Sequence, residues 1–242
     1  MTTSPRILKV SGVEVEVVRK KIKNLHLGVY PPNGRVRVAA PLVVSDAAVR
    51  VAVIGKLRWI RKQQTAFKHQ PRETQREMVR GESHYYLGRR YRLEIVETKG
   101  KCNVTIRRNG IMDLDVRATE TAEQRERVLW RWYRERFNEL VPPLLEKWQV
   151  KLGVKVTTWG VKKMKTQWGS CTSDASRIWL NRELIKKPPE CLEYIVVHEL
   201  IHLLVRHHDE RFFALLNRHL PKWMATRKFL NAAPLGHAEW EY

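Results

Sequence analysis

The 242-residue sequence has few cysteines, few acidic residues and no long uncharged apolar run. Its three cysteines, Cys102, Cys171 and Cys191, are far apart and form no Cys-x-x-Cys motif. This argues against a disulfide framework and a cysteine zinc site, and it favours a reducing compartment. The start of the chain lacks the apolar segment of a signal peptide, and no apolar run approaches the roughly 20 residues that span a bilayer. We therefore expect a cytoplasmic protein without a membrane anchor.

The shortage of acids leaves a formal net charge of +21, because 46 Lys and Arg stand against 25 Asp and Glu. The basic residues are spread along the chain, with denser stretches at residues 19–23, 56–68, 125–136 and 162–165. A solvated basic surface would account for them, but so large a surplus also attracts polyanions through counterion release. Trp59, Trp130 and Trp132 stand among the charges and could stack on bases. Contact with nucleic acid or a nucleotide is therefore predicted.

Local patterns predict a β-rich first half. Alternating residues from Ile7 to Val18 predict a strand with a turn or bulge at Gly12, and Asn33-Gly34 predicts the turn of a hairpin. Further strands are predicted at residues 83–86, 91–97 and 102–107. Ser45 is expected to cap one long helix that continues to Lys68.

A change in composition near Ala118 marks the predicted domain boundary. Thr121 and Gln124 then form a capping box that opens a second long helix. The prediction is an α+β protein, with a β-rich N-terminal region containing one long helix over residues 1–118 and a second domain over residues 119–242.

The second domain contains the segment YIVVHELIHLLV, in which apolar residues surround His198, Glu199 and His202. His198 and His202 are four residues apart, so on a helix they project from the same face and can bind one cation. Glu199 lies one residue further round, where its carboxylate can reach a metal-activated water without binding the metal itself. The apolar residues occur on all sides, which predicts a buried helix whose histidines and glutamate need partners.

A catalytic zinc site takes three protein ligands and one open position, so a third ligand is required. His208 can supply it if the helix ends near residue 205 and the chain turns back. Asp209 can cap the next helix and would fix the backbone of His208, which makes His208 the preferred third ligand. His207 is the alternative, and the spacing leaves both open.

These motifs resemble those of the YgjP-like metallopeptidases, relatives of the SprT and WLM zincin-type proteases. The matching motifs are WGSC at Trp168 to Cys171, Asn181 with Leu184, HELIH at His198 to His202, and His208 followed by Phe212. The stretch YYLGRRYRLEIVE at residues 85–97 extends the resemblance into the N-terminal half. The resemblance implies a zincin-like catalytic domain with an HExxH helix and one Zn²⁺ held by His198, His202 and His208.

The resemblance also implies a zinc metalloprotease in which Glu199 is the general base. The substrate would be a protein or peptide, including proteins associated with nucleic acid. Residues 177–181 would form an edge strand that pairs with an extended substrate, as edge strands do. The substrate-binding residues predicted from these motifs are Trp168, Gly169, Trp179 and Asn181. Arg182 is a further candidate, for stabilising the oxyanion.

Two other functions fit the same residues. The activated water could hydrolyse a nucleotide or another phosphoanhydride, which the positive charge would favour. The third hypothesis is a nucleic-acid-binding module with a non-catalytic metal site. A structural zinc site normally closes its fourth position with protein, so a three-histidine set beside an intact Glu199 argues against this third function.

Overall fold

The computed structural model describes residues 5–30, 33–69, 76–164 and 167–232. Its contacts divide the chain into two compact units, which we call unit 1 (Met1–Pro71) and unit 2 (Arg72–Tyr242). The predicted α+β class with a β-rich N-terminal region is confirmed. None of the helices in the described ranges has the length and apolar character needed to cross a bilayer.

Unit 1 consists of a four-stranded sheet and two helices. Its strands are β1 (Arg6–Val10), β2 (Val13–Lys20), β3 (His26–Tyr30) and β4 (Arg35–Pro41), in the order β1-β2-β4-β3. The central pair β2 and β4 is parallel and the outer pairs are antiparallel. The β3–β4 pairing confirms the predicted hairpin, although Pro31 and Pro32 next to its turn lie outside the described residues.

The prediction of a single long helix in this unit is wrong, because the structure contains two shorter helices. Ser45 does cap a helix, since its hydroxyl accepts the Ala48 N–H at 3.2 Å. This helix, α1 (Asp46–Ile54), ends at Gly55, and a second helix, α2 (Leu57–His69), follows. Glycine is a poor helix residue because it loses the most conformational freedom when ordered. Both helices add apolar side chains to a core that β2 and β4 line with valine.

Unit 2 begins with another four-stranded sheet, followed by a long helix. The strands are β5 (Ser83–Tyr86), β6 (Arg89–Glu97), β7 (Asn103–Ile106) and β8 (Ile111–Val116), in the order β5-β6-β8-β7. The helix α3 (Ala122–Leu152) opens with the predicted capping box. Thr121 N–H donates to the Gln124 side chain at 2.7 Å, and Gln124 N–H donates back to Thr121 at 3.3 Å.

The predicted domain boundary at residue 118 falls inside unit 2. Leu93 of β6, Leu114 of β8 and Phe137 of α3 belong to one buried cluster, so the packing continues across that position. The composition changes there because strands give way to a charged helix. The contacts instead separate the chain after Pro71.

The rest of unit 2 holds a small sheet and three helices. Its elements are β9 (Thr158–Lys162), β10 (Gly169–Thr172), β11 (Arg177–Asn181), α4 (Pro189–Ile201), α5 (Glu210–His219) and α6 (Trp223–Ala232). The strand order is β10-β11-β9, with β10 antiparallel and β9 parallel to β11. The expectation that residues 177–181 form an edge strand is therefore wrong, because β11 is paired on both sides; within the described ranges β10 is an edge strand. Lys165, the last residue of one basic stretch, lies outside the described residues.

The two four-stranded sheets repeat one topology at a constant spacing along the chain. The paired positions include Ser11 and Leu87, Gly12 and Gly88, Gly34 and Gly110, and the helix caps Ser45 and Thr121. The backbone agrees with this pairing. Ser11 and Gly12 have φ values of 49° and 81°, and Leu87 and Gly88 have φ values of 48° and 80°.

Candidate metal centre

Helix α4 carries two of the predicted ligands. Its N-cap residue is Pro188 and its first residue is Pro189, where the missing N–H of proline costs no helical hydrogen bond. Nine of its 13 residues are buried, as the apolar pattern predicted. The rings of His198 and His202 lie one turn apart at its C-terminal end, with centroids 5.0 Å apart.

The chain turns back directly after α4. The helix ends at Ile201, about one turn before the predicted end, and Val205 N–H donates to Ile201 O at 2.8 Å. Helix α5 then begins after Asp209, whose carboxylate accepts the Phe212 N–H at 3.0 Å, so the predicted cap is confirmed. His208 is therefore held between a tight turn and a capped helix.

This turn brings His208 next to the two histidines of α4. Nε2 of His208 lies 3.1 Å from Nε2 of His198. Each of His198, His202 and His208 offers one ring nitrogen, and these atoms all lie within 4.8 Å of one another. His207 does not belong to this group; it and His208 are both exposed, so position and not burial separates them. Phe212 is fully buried and packs against all three rings, at centroid distances of 4.9, 4.8 and 4.6 Å.

The pKa of each of the three imidazoles is lowered, which favours the neutral form that can bind a metal. Burial lowers the pKa of His198 to about 3, with smaller contributions from His202 and His208. The pKa values of His202 and His208 are also lowered, mainly by burial. Nδ1 of His202 lies 3.2 Å from the carbonyl oxygen of Val205. Because that oxygen can only accept, Nδ1 carries the proton and Nε2 keeps a free lone pair.

The carboxyl group of Glu199 is buried in the same region, with the residue 5% exposed. Burial raises its pKa to about 8. Gly169 of β10 provides the space for this side chain. A Cβ atom on Gly169 would lie 2.5 Å from Oε1 of Glu199 and 2.8 Å from Cγ2 of Ile195. The glycine of the WGSC motif thus lets β10 approach α4 closely.

These residues fit a divalent metal ion. Three neutral ring nitrogens with an open position form the donor set of a catalytic zinc site. A buried carboxylate needs either a proton or a nearby positive charge, and the raised pKa of Glu199 reflects burial alone. A cation held by the histidines would supply that charge.

A cleft of about 600 Å³ is lined by the three histidines and Glu199. The predicted substrate residues Trp168 and Gly169 also line it, together with the rest of β10. Helix α6 contributes Arg227, Leu230 and Asn231. The cleft is therefore bordered by an edge strand and by a helix that carries a positive charge.

The other two predicted substrate residues, Trp179 and Asn181, do not line this cleft. Asn181 is 2% exposed, and its side-chain amide donates to the backbone oxygens of Met164 and Gln167 at 2.9 and 2.8 Å. The Trp179 ring covers Gly160, where a Cβ atom would lie 2.5 Å from the ring. Both residues belong to the central strand β11, so they stabilise the small sheet.

The candidate oxyanion residue Arg182 also lies elsewhere. Its guanidinium carbon is 3.9 Å from the centre of the Trp130 ring. The cleft instead contains Arg227, which sequence reasoning missed. Its charge contributes to lowering the pKa of His198, and its guanidinium lies 5.9 Å from the centre of the Trp223 ring. The four-residue spacing of Trp223 and Arg227 predicts that contact, but no local pattern indicates that Arg227 faces the cleft.

Three converging imidazoles beside a buried carboxyl group, in an open cleft, are the arrangement expected of a metal-dependent hydrolase. The chain belongs to the YgjP-like metallopeptidase family, because the family model described as "YgjP-like, metallopeptidase domain" matches residues 23–233. The resemblance inferred from the motifs is confirmed, and membership makes the protein a metal-dependent hydrolase of the metallopeptidase class.

Two solved structures are similar to a part of the chain. One is the metallopeptidase zymogen of Pyrococcus abyssi abylysin, with 21% identity and a TM-score of 0.35, covering 37% of this chain and 90% of that chain. The other is the metallopeptidase zymogen of Methanocaldococcus jannaschii jannalysin, with 20% identity and a TM-score of 0.33, covering 36% of this chain and 84% of that chain. None of the curated proteins compared matches the chain.

Proposed function

We propose that this protein is a zinc-dependent peptidase that cleaves peptide bonds with Glu199 as its general base. The observation that carries the proposal is the grouping of His198, His202 and His208 within 4.8 Å, in a cleft that also contains Glu199. The family supplies the metallopeptidase class and a protein or peptide substrate. The identity of the ion and the role of each residue are our assignments.

The three histidines would hold the ion. Zinc favours nitrogen donors in a small, roughly tetrahedral set, and three neutral imidazoles leave one position open. Phe212 packs against all three rings and limits their movement. When bound, the ion supplies Lewis acidity, which lowers the pKa of a water molecule and polarises a carbonyl group.

Glu199 would move the proton. A neighbouring positive charge favours its carboxylate form, which can accept a proton from the attacking water. The buried surroundings favour the neutral acid, so the protonated group can then donate to the leaving amine. Gly169 keeps the space that Oε1 occupies free of a side chain.

The substrate would be positioned by β10 and Arg227. The edge of β10 away from β11 has no partner strand among the described residues, so an extended peptide can pair with it. Arg227 lines the cleft and carries a positive charge suited to a developing oxyanion.

The test of the general base is the substitution Glu199→Gln, with Glu190→Gln on the same helix as its control. Glu190 is exposed in the first turn of α4 and does not line the cleft. We expect E199Q to retain zinc and to cleave casein about 100- to 10,000-fold more slowly, because a general base contributes that much. E190Q should behave like the wild type. An E199Q variant with full activity and bound zinc would remove the assigned role.

The test of the third ligand compares His208→Ala with His207→Ala. We expect the H208A protein to lose zinc, measured by elemental analysis, and the H207A protein to retain about one ion per chain. Retention of zinc by H208A and its loss from H207A would transfer the assignment to His207.

The zinc-loaded wild-type protein also distinguishes the peptidase from the two alternative functions. Release of phosphate from nucleoside triphosphates, with casein uncleaved, would favour the phosphoanhydride hydrolase. Zinc binding without either reaction would favour a module with a non-catalytic metal site. The cytoplasmic location stays a prediction, and the free thiols of Cys102, Cys171 and Cys191 are consistent with it.

A further inference from the structure

Unit 1 carries a much higher charge density than unit 2. Unit 1 contains 14 Lys and Arg against 3 Asp and Glu, a net charge of +11. Unit 2 contains 32 Lys and Arg against 22 Asp and Glu, a net charge of +10. More than half of the surplus therefore belongs to less than a third of the chain.

Two of the three acids of unit 1 lie on the sheet face opposite its helices. In β2 the valines at positions 13, 15 and 17 face the core shared with α1 and α2, so Glu14 and Glu16 point the other way. Glu16 lies 3.2 Å from both Arg35 and Arg37. Glu14 lies 3.6 Å from Lys9.

The third acid, Asp46, is also paired with arginine. It lies in the first turn of α1, at 2.9 Å from Arg6 and 2.5 Å from Arg19. The acids of unit 1 are thus matched to basic residues outside α2, and the basic residues of α2 have no acid of their own helix to pair with.

The outward face of α2 is basic and also carries an exposed aromatic ring. Ile60 is fully buried and fixes the orientation of the helix. The exposed basic residues are Arg58, Arg61, Lys62 and Lys68. Arg58, Lys62 and Lys68 have no ion pair or hydrogen bond within the described part of the chain. Trp59 is 41% exposed and lies three residues before Lys62, so the two are neighbours on the helix surface.

The repeated sheet shows that the fold does not require this surface. The helix that follows the second sheet, α3, carries five acids, and Glu123 and Glu139 pair with Arg127 and Arg136 at 3.2 and 2.7 Å. The first sheet is followed by α1, which carries one acid, Asp46, and then by α2, which carries none. The same topology therefore folds with a helix in which five acids accompany seven basic residues, so the fold does not require a basic helix free of acids.

We propose that unit 1 is a nucleic-acid-binding module whose α2 face binds a single strand. The four basic residues would contact successive phosphates, and an α-helix of 13 residues extends over about 20 Å. Trp59 would stack on a base, which a single strand exposes and a duplex does not. The exposed ring beside the charges is what favours the single strand.

The test measures binding of the full-length protein to fluorescent single-stranded DNA by anisotropy across a salt series. The variant R58Q/K62Q/K68Q removes three charges from α2, and K99Q/K101Q/R108Q removes three exposed charges from unit 2 as the matched control. We expect the α2 variant to bind at least about tenfold more weakly and to lower the salt slope by about 2, at roughly 0.7 per phosphate contact on a single strand. The control should change the Kd less than about threefold.

A second variant separates stacking from charge. Trp59→Ala keeps all the basic residues, and we expect it to weaken single-strand binding about tenfold while duplex binding stays the same. Circular dichroism of every variant should match that of the wild type. Equal losses in the two triple variants, or equally tight binding of poly-glutamate, would overturn the proposal. Unchanged single-strand binding by W59A would overturn the single-strand assignment. None of these measurements uses peptidase activity, so they are independent of the proposed function.

Discussion

Unit 1 and unit 2 contain the same four-stranded topology in two different roles. In unit 1 the sheet and its helices close a small core of their own, and Glu16 is held between two arginines. In unit 2 the sheet shares a larger core with α3 and α4, and Glu199 is buried beside the candidate metal centre with a raised pKa. One topology therefore serves as a self-contained module in one place and as support for a site in the other.

The turn of the first hairpin shows this difference most directly. Gly12 and Gly88 have almost the same φ, 81° and 80°. A Cβ atom on Gly12 would meet nothing within 4 Å, whereas one on Gly88 would lie 2.8 Å from Cγ and 3.1 Å from Cα of Pro188. The Leu87 and Gly88 N–H groups also donate to the backbone oxygens of residues 185 and 186. The second turn thus supports the N-cap of the helix that carries the histidines.

The largest expected effect tests the contrast between Glu199, which is buried, and Glu16, which is half-buried. The pKa of Glu199 is raised to about 8 in the folded protein, whereas an ordinary glutamate titrates near 4.5. In the metal-free protein the contribution of Glu199 to stability should therefore be fully present below about pH 4.5, be lost as the pH rises toward 8, and change little above that. Glu199→Gln removes this loss, so E199Q in chelator should be more stable than the wild type by a few kcal/mol at pH 8 and by little at pH 5.

Thermal unfolding at the two pH values measures this difference. Glu16→Gln in unit 1 is the matched control, because it removes two ion pairs and should lower stability slightly at both pH values. A stability gain of E199Q that is the same at pH 5 and pH 8 would contradict the predicted titration.

The second-largest expected effect is a difference in stability between alanine substitutions in the two corresponding turns. Gly12→Ala and Gly88→Ala impose the same backbone strain, about 1–2 kcal/mol for an L-residue with a left-handed backbone. Only Gly88→Ala adds a steric conflict with Pro188, and overpacking costs about 1–3 kcal/mol more. Hydrogen exchange of core amides in the unit concerned gives each value separately. Equal losses for the two variants would show that the second turn does not support α4.

The smallest effect compares the two helix caps. Ser45→Ala and Thr121→Ala should each cost about 1 kcal/mol, because each side chain accepts one N–H at its helix start. Thr121 also belongs to a capping box, in which Gln124 accepts the Thr121 N–H. Gln124→Ala should therefore lower stability by several tenths of a kcal/mol, whereas Ala48, at the corresponding place in α1, offers no such bond. Circular dichroism during urea unfolding can resolve these differences.

Features set by short-range sequence could be predicted well. The caps at Ser45, Thr121 and Asp209 follow from hydrogen bonds within one helical turn, and each is present. The closeness of His198 and His202 follows from helical periodicity in the same way. The position of His208 beside the other two histidines could be predicted because a zinc site needs a third ligand and because Asp209 can cap the helix that follows the turn.

Features set by long-range packing could not be predicted from the sequence. The position of β11 between β10 and β9 depends on strand order, which no alternation of side chains encodes. Arg227 faces the cleft because α6 packs on α4, although α5 separates the two helices along the chain. The boundary after Pro71 was missed because the repeated sheets have similar strand patterns but belong to different cores.

The constant spacing between the two copies of the sheet has a consequence for the engineering of the chain. Gly12 and Ser45 are separated by the same number of positions as Gly88 and Thr121, so the two segments have equal length without a gap. Equal length and equal topology make the two segments structural repeats of one another. The segments can therefore be exchanged by grafting without changing the length of the chain, and the hybrid proteins would reveal which residues of the second copy are needed to support α4.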